Sequence, residues 1–179
     1  MDVDSAEYNL SLENSYPDFH PTFKYHGMNC YAYIFANAAP TTFDVVIVQL
    51  YESWSRADHA LLDLGTREDD YLASWTKRML DGYAVDFGGD GDAPTLVKVT
   101  PSQLVIGLSR GGADGKSAFF WPRNAGKAYN NAAAAQRPRG YAFWNIPLEG
   151  QTVNGTNATL SFAPTLNEFL GVRAHGRQP

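Results

Sequence analysis

Three apolar β-type runs constrain this chain more than any other feature: FDVVIVQLY (residues 43–51), QLVIGLS (103–109) and GYAFWNI (140–146). The first is β-branched and nearly all apolar, the pattern of a strand buried on both faces under helices. The second follows a Thr-Pro turn, and the third is entered from RPRG and closed by Pro147. A weaker run spans 8–13. Helical patterns fall between the runs. Residues 27–38 are apolar and small, and 125–137 are Ala-rich and end before Pro138. TLNEFL (165–170) stops at Gly171. Over 66–80, a Thr-X-X-Asp pattern reads as a helix cap, and Tyr71, Leu72, Trp75 and Met79 form a core-facing stripe. The alternation predicts an α/β chain with right-handed crossovers, its three strong strands parallel and adjacent in chain order.

Composition narrows the class. At 179 residues, 44% of them apolar and 18% charged, the chain can bury a core as one domain over 1–179, which excludes global disorder. No apolar run is long enough to span a membrane. A net charge of −5 with 14 scattered Lys and Arg argues against nucleic acid as the partner. Cys30 is the sole cysteine, so an intramolecular disulfide and a Cys-based zinc site are excluded. His20, His26, His59 and His175 lack ligand spacing, so no metal or cofactor is expected. The Asp-Gly cluster at 86–92 lacks the downstream bidentate Glu of a calcium loop and reads as a solvated loop. Sequons at Asn9, Asn154 and Asn157 matter only in a secretory compartment, and the first twelve residues do not read as a signal peptide.

Ligands of parallel α/β sheets meet the C-terminal ends of the strands. There Gln49 and Tyr51 lie on one side of an otherwise apolar strand. Buried, they need hydrogen-bond partners, which a ligand amide or hydroxyl, or neighbouring backbone, can supply. The second strong run ends at Ser109-Arg110 before a glycine-rich loop, and the third at Trp144-Asn145. Trp144 there is a lid on the core or a stacking platform.

Together these segments resemble family 18 glycoside hydrolases, the chitinases and their relatives. FDVVIVQLY followed by ESW is similar to their sixth barrel strand, VTPSQLVIGLSRG to the seventh and GYAFWNI to the eighth. TLNEFL resembles the closing helix and, more weakly, NLSLEN the fifth strand. The resemblance implies part of a (β/α)₈ TIM-type barrel, about strands five to eight, because a whole barrel takes about 250 residues. It also implies a catalytic pair: Tyr51 hydrogen-bonds the substrate's N-acetyl group and Gln49 lines the same pocket. Trp144 stacks beneath the central sugar, with Glu52, Glu13 and Asn145 as further substrate-binding candidates.

The family's acid stands in an Asp-Gly-X-Asp-X-Asp-X-Glu motif after strand four, and no such motif precedes the fifth-strand candidate. DGYAVDFG (81–88) echoes it, but Ala84 and Gly88 replace the middle Asp and the Glu, and the echo follows a helix. The expectation is therefore a chain that acts on or binds chitin-type polysaccharide, its acid carried by an N-terminal half outside this sequence. Two alternatives stand beside it. One is a non-catalytic carbohydrate-binding or scaffold module that pairs with itself or another chain. The other is an unrelated α/β domain with similar strands.

Overall fold

The computed structural model describes residues 30–50, 57, 59–85, 95–109, 120–144, 150, 152 and 161–171. Among the described residues the α-helices are α1 (Cys30–Asn37), α2 (Glu68–Asp81), α3 (Pro122–Asn131) and α4 (Phe162–Leu170). The strands are β1 (Val46–Gln49), β2 (Tyr83–Val85), β3 (Thr95–Val97), β4 (Leu104–Ser109) and β5 (Gly140–Trp144). A π-helical turn, His59–Asp63, precedes α2, and a 3-10 turn, Ala134–Gln136, follows α3.

The expected strand order holds. β1, β4 and β5 form one parallel sheet in that order, with Val48 opposite Ile106 and Ile106 opposite Tyr141. Sequence reading did not anticipate the antiparallel pair β2–β3, in which Ala84 opposes Leu96. Three residues per strand are too few for a period-two pattern to register. β2 takes up Tyr83–Val85 of the family-like echo, with Asp81 ending α2 and Gly82 capping it.

One face of the parallel sheet carries the core. Val48, Leu50, Leu104, Ile106 and Leu108 are fully buried on it. Against them lie Leu72, Trp75 and Met79 of α2, Ala125 and Ala128 of α3, and Phe162 and Leu166 of α4. The expected α2 stripe is thus core-facing, and each such large side chain contributes about 1.5–3 kcal/mol on burial. Phe143 stacks on Phe162 with ring centroids 5.3 Å apart, and Tyr141 donates its hydroxyl to the Ala125 carbonyl at 3.0 Å. At the strand starts, Gln103 Nε2 donates to the Phe43 carbonyl at 2.7 Å. Arg139 Nη1 bridges the Asp44 and Ser102 carbonyls at 3.1 and 3.2 Å. These two side chains lock the register where β1, β4 and β5 begin.

The structure corrects three expectations. β1 is not buried on both faces: Val45 is 40% and Ile47 56% exposed, because the described helices α2–α4 cover the opposite side. Its uniform apolarity signals a sheet face, not a covering layer on each side. Thr66 does not cap α2, since Arg67 holds the N-cap position without a side-chain bond. Instead Arg67 forks onto the Asp69 carboxylate, with Nε to Oδ1 at 3.1 Å and Nη2 to Oδ2 at 2.7 Å. The Ala-rich helix starts at Pro122, as proline's fixed φ favours in a first turn, and ends at Asn131 because Ala132 is extended.

Helices α3 and α4 approach closely at Gly126. A methyl built there falls 2.1 Å from the Phe169 ring, so only a residue without a side chain fits. Gly171 closes α4 in the left-handed conformation at φ 66°, as its sequence position anticipates. Gly126→Ala is expected to destabilise the chain by about 1–3 kcal/mol, despite alanine's better helix propensity. Urea unfolding of the variant measures this, and an unchanged midpoint refutes the close contact.

Candidate functional site

Of the sequence-derived candidates, Gln49 lies on the exposed face of the parallel sheet. The sheet's register sets a row across three strands: Gln49 of β1 opposes Gly107 of β4, which opposes Ala142 of β5. Ser109 and Trp144 pair two residues further on, so Trp144 has the same strand parity as Ala142 and Gln49. With strands about 4.8 Å apart and about 3.3 Å of rise per residue, Gln49 and Trp144 stand about 10 Å apart across the sheet and about 7 Å along it. Gly107 and Ala142 lie between them, and both are small.

Beside β1 the face deepens into a groove of about 510 Å³ lined by Ile34, Phe35, Phe43, Val45, Val46, Ile47 and Gln49. Phe35 of α1 stacks on Phe43 with centroids 5.8 Å apart and forms one wall. Gln49 is the groove's amide, exposed at the last position of β1. Its carbonyl and NH₂ can each serve a ligand hydroxyl or amide, while the apolar walls take a ring or methyl group. Across 45–50, 104–109 and 140–144 the sequence has no Asp or Glu. Among the described strand residues, this face offers hydrogen bonds and apolar contact and no acid.

Of the six site residues expected from sequence, Gln49 stands in the groove and Trp144 ends β5. Tyr51, Glu52, Glu13 and Asn145 lie outside the described residues. So do the fifth-strand candidate at 8–13 and the Asp-Gly cluster at 86–92. Sequence reading missed the groove wall made by Ile34, Phe35 and Phe43, whose only signal was an aromatic at the edge of each element. Among the described residues, no cluster of His, Cys, Asp or Glu can hold a metal, and no helix is long and apolar enough to cross a membrane.

A carboxylate sits where the crossover helices start. Glu68, half-buried at the first turn of α2, accepts the Trp121 backbone N–H at 2.7 Å and Asn124 Nδ2 at 3.0 Å, both through Oε2. Burial raises the Glu68 pKa, and Asp69's charge adds to this, against the lowering effect of its two hydrogen bonds. Its neighbour Asp69 is lowered, first by its hydrogen bond from Arg67. On the same helix, the indole Nε1 of Trp75 is buried with no hydrogen-bond partner among the described residues.

The two faces of the sheet differ in what a truncation costs. Ile106→Ala is expected to lose about 2–5 kcal/mol, as for other buried aliphatics. Ile47→Ala on the open face is expected to stay within about 0.5 kcal/mol of the parent. Chemical denaturation of both variants checks the contrast, and comparable losses would show the open face to be packed.

Comparison with known proteins finds no relative: no family model, no curated protein and no solved structure matches this chain.

Proposed function

We propose that this chain binds N-acetylglucosamine-containing oligosaccharide across the open face of its parallel sheet, as the strand-six-to-eight portion of a family 18-like glycosidase barrel. The observation that carries the reading is the layering of the sheet. Three parallel strands run in chain order with helices packed on one face, while the other face keeps an exposed amide, small residues and an apolar groove. The reading is supported because a barrel wall likewise carries its helices on the outer face, and ligands meet the C-terminal strand ends, where Gln49 stands on β1. Under this reading Gln49 and Tyr51 engage the N-acetyl group and Trp144 stacks beneath a sugar ring.

Hydrolysis in this family takes the substrate's own N-acetyl oxygen as nucleophile and needs a carboxylic acid to protonate the leaving oxygen. The open face supplies no such acid from its strands, so the reading assigns the acid to chain beyond these elements. General-acid assistance is worth about 10²–10⁴-fold, and its loss reduces the chain to a binding surface. The same absence favours the second reading, a non-catalytic carbohydrate-binding module. Both readings have β1 and β5 pair with further strands, from another chain or a second copy, because parallel edges are stable only when covered.

Titration with N-acetylglucosamine oligomers tests the proposal. Gln49→Ala and Trp144→Ala are each expected to weaken binding about tenfold, or about 1.4 kcal/mol, with no product released by the chain alone. Affinity unchanged in both variants, or no binding by the parent chain even when the complementary barrel half is supplied, removes the sugar-cleft reading.

A further inference from the structure

Trp121 occupies the N-cap position of α3 without a side-chain cap of its own. The acceptor for its N–H comes from another helix, 53 residues away in sequence. We propose that Glu68 is a proton-responsive latch between the first turns of α2 and α3, one that holds the two helix starts together more firmly as the pH falls.

Three observations carry this. Glu68 is the cross-helix acceptor at the start of α3, serving both the Trp121 amide and the Asn124 side chain. Both donors converge on Oε2, so a proton on Oε1 breaks neither bond. Glu68 is also half-buried where α2 packs against α3, so part of its surface is withdrawn from water while the helix starts are together. With the helix starts apart, Glu68 is solvated and binds a proton with ordinary affinity. With them together, burial disfavours its charge.

The charged groups around it do not reverse this. Helix α2 contributes Arg67, Asp69 and Asp70, and α3 contributes Arg123 and Lys127. The π-helical turn His59–Asp63 contacts α2. Arg67 is engaged by Asp69 and Asp70. Asp69 acts on Glu68 by charge, in the same direction as burial. The sign follows: the latched form holds its proton more tightly than the open form. Protonation therefore favours latching fully below the ordinary glutamate range, and the effect is lost as pH rises through the raised latched value.

Hydrogen exchange at the Trp121 amide reads the latch directly, because local opening exposes that N–H without global unfolding. The full chain is measured at about pH 7 and about pH 4, on either side of the ordinary glutamate pKa, after correction for intrinsic exchange. In the parent, Trp121 protection is expected to rise several-fold at the lower pH. In Glu68→Gln, which keeps an acceptor and cannot titrate, protection should match at the two pH values. In Glu68→Ala, most Trp121 protection should be lost at both, while the Ile106 amide of the sheet stays protected. The same pH dependence in parent and Glu68→Gln overturns the proposal, as does parent-like Trp121 protection in Glu68→Ala. If the alanine variant does not fold, the parent and Glu68→Gln comparison decides alone.

Discussion

Burial of one face of β4 is the constraint on which the rest of the structure depends. β4 pairs on both sides, with β1 and β5, and its Leu104, Ile106 and Leu108 are each withdrawn from water. A strand paired on both edges has no backbone groups left to satisfy, so its remaining demand is cover for its side chains. The helices that follow β1, β4 and β5 in sequence meet that demand from one side. Val99 donates its N–H to the Met79 carbonyl, which sets the end of α2 beside the entry to β4. With the helix ends fixed there, α2 and α3 start on the side toward which the strands point.

Covering one face leaves the other as the place where function is read. Apolar residues on an exposed strand cost solvation unless something covers them, and Val45 and Ile47 flank an amide at the end of the same strand. A purely structural edge strand usually carries charge to discourage pairing. β1 instead carries Val, Ile and Gln, and its one polar side chain stands level with Gly107 and Ala142. Gly107 is buried and Ala142 half-buried beside that amide, so the room for a ligand lies in the groove along β1. This is why the sheet's open side, and not the helical layer, holds the candidate site.

The sequence disclosed the parallel sheet because its signals were strong and local. FDVVIVQLY and QLVIGLS have no helical period, and proline or glycine punctuation bounds each run. The α2 stripe was equally legible, since Tyr71, Leu72, Trp75 and Met79 repeat at helical spacing. What could not be read was which side of β1 faces outward, because an all-apolar strand has no alternation to give its orientation. The groove walls were illegible for a related reason: Phe35 meets Phe43 across a turn, and only tertiary packing brings their rings together. Glu68 drew no reading of its own, because its partners lie beyond β4 and no local pattern connects them. Of the expected site, sequence reading put Gln49 and Tyr51 on one side of their strand and Trp144 at the end of its own, and the structure sets Gln49 in the groove and ends β5 at Trp144.

The first turn of α2 holds two acids that respond oppositely to protons, and the difference follows from what each touches. Asp69 faces the Arg67 guanidinium, which favours its charged form. Its contribution is present above the ordinary aspartate range and is lost as pH falls through its lowered folded value. Glu68 turns inward toward α3, where burial outweighs the two donors it accepts. Its contribution is present at low pH and fades as pH rises. They are adjacent in sequence, yet about 100° of helix rotation sends one toward an arginine and the other toward a neighbouring helix. The two effects oppose each other in global stability, so the helix start as a whole changes less with pH than either group alone. What does change is where the stability resides: toward the Arg67 pair at higher pH, and toward the α2–α3 junction as the pH falls.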